Sequence, residues 1–187
     1  MRDPEIIARL EADRLAGSAG LCRVTEQGLM MPTGADERVL GYLGRALSME
    51  LSAVQLYTTQ ARLVTSWGLD EPAKRFRHEA QEEMGHVERI ISRMLALGVA
   101  PNASQLRPVK LGRDLRDLLE YDRAFEDELV SLYGDAAAHC ARNGNHEGRL
   151  FFQERLEEEQ QHSRELAQWL AELEQPGVDQ RTRGASF

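Results

Sequence analysis

From about Asp36 to Trp67 the apolar positions recur at alternating spacings of four and three. Leu43, Leu47, Val54, Ala61 and Val64 form one stripe, and Glu50 and Tyr57 stand in the same register. That period predicts a long helix with one buried face. After Gly68, Asp70 suits a cap and Pro72 a first turn, so a second long helix should run to about Leu97 and stop at Gly98 and Pro101. A third opens at Asp114 and ends near Asn143 and Gly144. A fourth is capped by Asn145 and continues until Pro176 and Gly177.

Upstream, Asp3 and Pro4 followed by Glu5 to Leu15 and then Gly17 predict a short helix, with residues 18–34 as a connector or arm. No run of alternating β-branched residues occurs, so the expected class is all-α. The short turn at Gly68 makes the first two long helices antiparallel neighbours. Val99 to Arg113 holds Pro101, Pro108 and Gly112 without a sustained period, and is long enough to cross the bundle from end to end. The expected organisation is an extension over 1–35, a four-helix bundle of two hairpins joined by one crossover over 36–175, and a flexible tail over 176–187.

Charged residues interrupt the inward stripes, and they do so in a pattern. Glu83-Met84-Gly85-His86 on the second long helix and Glu159-Gln160-Gln161-His162 on the fourth each give Glu-x-x-His, a spacing that sets carboxylate and imidazole on one helix face. Glu50 lies among Leu43, Leu47 and Val54, and Glu126 between Leu119 and Leu129, so every helix contributes one inward acid. Either Glu-x-x-His alone is an ordinary solvated pair. The spacing argues otherwise: Glu50 precedes Glu83 by thirty-three positions and Glu126 precedes Glu159 by thirty-three, while Tyr57 and Tyr133 each follow their glutamate by seven. The hairpins look like two copies of one unit.

Burying four carboxylates without compensation costs several kcal/mol each or forces them to protonate. Two cations remove that cost, and an oxygen-and-imidazole ligand set suits iron or manganese better than thiolate-seeking metals. Tyr57 and Tyr133 lie where a hydroxyl reaches a ligating carboxylate, although a core tyrosine with a satisfied hydroxyl fits equally.

Composition narrows the client. A formal net charge of −8 argues against a nucleic-acid partner, which needs a basic face. Cys22 and Cys140 form no CxxC pair, which excludes zinc ribbons and disulfide frameworks and leaves a structural reading for both. No apolar run approaches the ~20 residues of a membrane helix, and the acidic N-terminus lacks a signal's basic and apolar regions. The expectation is a soluble cytoplasmic protein.

Over about residues 37 to 173 the chain resembles bacterioferritin. The resemblance is carried by Ser48-Met49-Glu50-Leu51-Ser52-Ala53-Val54-Gln55-Leu56-Tyr57, Trp67-Gly68-Leu69, Glu82-Glu83-Met84-Gly85-His86 and Glu158-Glu159-Gln160-Gln161-His162. It implies a ferritin-like four-helix bundle with a di-iron centre, two non-haem iron ions per subunit, held by Glu50, Glu83, His86, Glu126, Glu159 and His162, with Glu83 and Glu159 bridging and Tyr57 assisting. The implied activity is that of a ferroxidase: oxidation of Fe(II) by oxygen or hydrogen peroxide, with Fe(III) mineral stored inside a homo-oligomeric shell for iron storage and detoxification. His78 and Glu82 fall where some bacterioferritins carry an inner-surface iron site, although a solvated pair four residues apart is the plainer reading.

Met84 falls where the family's methionine ligates haem b between subunits. Its outward neighbours Arg77, Gln81 and Glu88 are polar, and Thr58 replaces a bulky aromatic, so interface packing is expected ahead of haem. The family's short fifth helix has no counterpart in Pro176 to Phe187, and the first thirty-five residues are extra, which leaves the oligomer at a dimer or larger. Two other readings stay open: a rubrerythrin-like di-iron oxidase or peroxidase that stores no mineral, and a helical scaffold with a vestigial site.

Overall fold

The structure is a computed structural model that describes residues 36–101 and 105–174. It holds α1 (Glu37–Ser66), α2 (Asp70–Ala96), α3 (Leu115–Arg142) and α4 (His146–Leu173). No strand occurs among the described residues. The short helix expected at Glu5 to Leu15, Cys22, and the tail from Pro176 lie outside them. No described helix is long and apolar enough to cross a membrane.

The helix starts follow local chemistry. The Asp36, Asp114 and Asn145 side chains accept from the backbone N–H of Arg38, Asp117 and Gly148 at 2.8, 2.9 and 2.8 Å, occupying donors that the first turn leaves unpaired. The start of α2 differs from expectation. Its cap is Leu69, with no side-chain bond, and Asp70 is the first helical residue. There Asp70 and Glu71 favour the helix through its dipole. At the two hairpin turns Gly68 and Gly144 adopt φ of 80° and 69°, a left-handed conformation that glycine takes without a Cβ clash.

Ion pairs across the bundle fix its directions. His139 near the end of α3 meets Asp36 at the start of α1 (2.6 Å), Arg75 early in α2 meets Glu172 late in α4 (3.3 Å), and Arg93 late in α2 meets Glu147 early in α4 (3.3 Å). Hence α1 is antiparallel to α3 and α2 to α4, and the segment from Leu97 to Leu115 joins opposite ends of the bundle. It runs along the α1 and α3 side, where the Arg107 N–H donates to Ser52 Oγ at 2.9 Å and its guanidinium pairs with Glu128 at 2.6 Å. The crossover topology expected from the sequence is therefore present.

The apolar interior falls into two clusters. One, around Leu43, Leu47, Ile90, Leu129 and Phe152, fills the end where α1 begins; it also buries Cys140. The other, around Val64, Phe76, Leu118, Leu119 and Trp169, fills the far end. Between them lies a layer of buried charge.

Candidate metal centre

The inward stripes bring all six expected ligands together. Glu50, Glu83, Glu126 and Glu159 are wholly buried, and His86 and His162 nearly so. Ligand atoms of Glu50, Glu83, His86 and Glu159 lie within 4.8 Å of one another, as do those of Glu83, Glu126, Glu159 and His162. Glu83 and Glu159 belong to both groups, which is the placement required of bridging carboxylates.

Each imidazole turns Nδ1 inward. His86 Nδ1 lies 2.9 Å from Glu159, 3.0 Å from Glu83 and 3.5 Å from Glu50. His162 Nδ1 lies 3.2 Å from Glu83 and 3.6 Å from Glu159. The rings stack with centroids 5.6 Å apart. One oxygen each of Glu50 and Glu126, both oxygens of Glu83 and Glu159, and both Nδ1 atoms are buried without a hydrogen-bond partner. Eight buried ligand atoms without a hydrogen-bond partner, facing one another, cost free energy in any state that lacks a shared partner. Four oxygen or nitrogen ligands for each of two cations fit this set.

The tyrosines act across the hairpins. The Tyr57 hydroxyl on α1 donates to Glu126 on α3, and that of Tyr133 on α3 donates to Glu50 on α1. Burial, and then the facing carboxylate, hold both phenols well above their usual range, so each remains a donor. Each outer glutamate thus has one oxygen fixed and one free.

Without metal, the cluster shares protons. Burial, followed by the charges of Glu83 and Glu159, keeps Glu50 and Glu126 well above the usual carboxylate range. Burial opposes protonation of the imidazoles, but the surrounding carboxylates outweigh it: His162 is pushed up to about 12 by Glu159 and Glu83, and His86 is raised by Glu159, Glu50 and Glu83. Burial likewise opposes ionisation of Glu83, yet the close imidazoles of His162 and His86 pull it below its ordinary value. Cations entering the site displace protons.

Glu158, Glu79, Gln60 and Asp122 had gone unassigned in the sequence, whereas Glu82, His78 and Met84 had been singled out. Glu158 Oε2 lies 3.1 Å from His86 Nε2 and is engaged by Arg155 and Arg89. On the other side Glu82 Oε2 lies 3.8 Å from His162 Nε2 and 3.6 Å from His78. Glu82 also groups with Glu79 and His162; His78 stays outside that group. Carboxylates behind a ligating histidine set its tautomer and orientation. The signal was present: a glutamate precedes the bridging acid in both copies. Gln60 Nε2 donates to Asp122 Oδ1 at 2.6 Å, both residues wholly buried. Met84 turns away from the centre and lines a surface depression with Thr58, Ala61, Arg62, Arg77, Ala80 and Gln81.

Fold and site together define a crossover-linked four-helix bundle with a duplicated carboxylate–histidine centre at its middle. The chain belongs to the ferritin-like family, whose ferritin-like domain model matches residues 40–175. It is 38% identical over 127 residues to a bacterioferritin of Rhodobacter capsulatus, covering 68% of this chain and 79% of that protein. To a bacterial ferritin of Synechocystis sp. it is 30% identical over 141 residues, covering 75% and 90%. A solved structure of Rhodobacter capsulatus bacterioferritin, described with a metal-free dinuclear site and haem iron, superposes with a TM-score of 0.75. It is 32% identical and the match covers 83% of this chain and 98% of that one.

Proposed function

We propose that the chain is a ferroxidase of bacterioferritin type, oxidising Fe(II) at a di-iron centre for iron storage and detoxification. Oxygen or hydrogen peroxide is the electron acceptor, and the working form is a homo-oligomer. The observation that carries this reading is the set of eight buried, unpartnered ligand atoms arranged around the shared Glu83 and Glu159.

When bound, adjacent iron ions supply two electrons together, so the acceptor is reduced without releasing a one-electron product. The protein's part is positional and electrostatic. Glu83 and Glu159 span the two positions. Glu50 and Glu126, each steadied by a tyrosine hydroxyl, close them from opposite sides, and both imidazoles supply nitrogen. Glu82, with Glu79 and His78 nearby, marks an outer iron site beside His162. The Met84 depression offers small and cationic side chains and no aromatic ring to stack on a porphyrin, so we assign it to packing against a second copy. A Soret band in the purified protein overturns that assignment.

The test adds a large excess of Fe(II) in air and counts iron per subunit after gel filtration. Retention far above the capacity of the centre is expected, and a stop at about two per subunit sinks storage. Glu159→Ala should abolish the fast phase of oxidation while the metal-free protein keeps its helical content. Unchanged oxidation refutes the site.

A further inference from the structure

The duplication that built the centre did not keep its surroundings equal. Seventy-six positions separate each residue of the first hairpin from its counterpart in the second, as Glu50 and Glu126, Glu83 and Glu159, or His86 and His162 show. Applied to the residues behind the histidines, the same interval reverses charge. Arg155 corresponds to Glu79, and Glu165 to Arg89. The buried pair Asp122 and Gln60 corresponds to Ala46 and Ala136, which are also wholly buried.

Around His86, the Glu158 carboxylate beside Nε2 is paired with Arg155 Nε at 3.1 Å and Arg89 Nη2 at 3.2 Å. Arg155 is only 1% exposed, stands one turn before Glu159, also pairs with Glu154 at 3.3 Å, and has Nη1 buried without a hydrogen-bond partner. Among the described residues, no buried guanidinium contacts the carboxylates around His162. Glu79, Glu82 and His162 form a group with two carboxylates, and a surface opening between α2 and α4 is bordered by Glu79, His162 and Glu165 together with the exposed Arg75 and His78.

We infer that the two metal positions fill in order: the first divalent cation binds tightly at the acid-flanked Glu126–His162 position, and buried Arg155 weakens the second binding at Glu50–His86. This rests on the proposed metal centre and concerns how it loads. A buried guanidinium close to a cation site opposes a second positive charge, less what its pairing with Glu158 and Glu154 offsets, whereas flanking carboxylates attract it. A paired centre, able to give two electrons at once, then forms only when free metal is high enough to overcome Arg155.

Co(II), which does not undergo the oxidation, reads this directly through its visible ligand-field absorption during titration of metal-free full-length protein. Two resolved steps are expected, with the tight step retained in Glu50→Ala and lost in Glu126→Ala. Arg155→Met, apolar and of similar length, should tighten the second step about tenfold and leave the first unchanged; Arg155→Gln provides the same charge loss if the methionine variant does not fold. Two equal steps, a tight step that survives in Glu126→Ala, or a second step indifferent to both Arg155 variants overturns the inference while leaving the centre intact. No Co(II) band in the wild-type protein overturns the centre itself, and the ordered loading with it.

Discussion

Asp122 sits one turn from Glu126 on the same inward stripe, and burial, working against its hydrogen bond from Gln60, raises its pKa to about 8. Unfolding returns it to about 3.8. The folded protein therefore holds this proton across the interval between those values, the unfolded chain does not, and the stability contribution falls as pH rises through that window. Asp122→Asn keeps an acceptor for Gln60 Nε2 and removes the ionisation. Metal-free Asp122→Asn should match the wild type near pH 4 and exceed it in urea midpoint near pH 8. Equal midpoints at both ends exclude the effect. At this scale the six candidate residues were legible as a cluster because glutamate and histidine on an apolar stripe are costly without a partner. Arg155, Asp122 and Gln60 stand on the same stripes at the same spacings, but nothing in one sequence says which buried polar residue meets which.

The helices owe their stability to what their stripes bury more than to intrinsic propensity. Phe76 on α2 is wholly buried, with its ring centroid 6.2 Å from that of Tyr57 and 5.2 Å from that of Trp169. Phe76→Ala should cost about 3–5 kcal/mol, measured by urea denaturation of the metal-free protein. A loss under about 1 kcal/mol, the scale of a tolerated swap, would mean that the far-end core repacks around the gap. Element existence was readable because the three-and-four period persists for about thirty residues at a time. Boundaries were less so: the start of α2 rests on chain reversal at Gly68 and the helix dipole, so Asp70 serves inside the first turn instead of capping it. The fourth helix ends at Leu173 with Glu174 as its cap, short of the proline expected to stop it.

For the whole molecule, the crossover makes each hairpin complete the other's ligands, and this couples metal to folding. Any cation that binds only the folded bundle stabilises it by about 2.7 kcal/mol per site at a free concentration one hundred times its Kd. The thermal midpoint should accordingly climb with Co(II) concentration and return to the metal-free value on chelation. An unresponsive midpoint indicates that the carboxylate layer takes no metal. The topology itself followed from loop length, since only a segment as long as Val99 to Arg113 spans the bundle. The contact that seats it, Arg107 on Ser52, could not be foreseen from spacing.

The charged layer lies between two separate apolar cores, one at each end of the bundle. Those cores pack the helices against one another on both sides of it. Hydrocarbon closes the layer at both ends, so traffic to it runs sideways between helices, as at the opening between α2 and α4 that His162 borders.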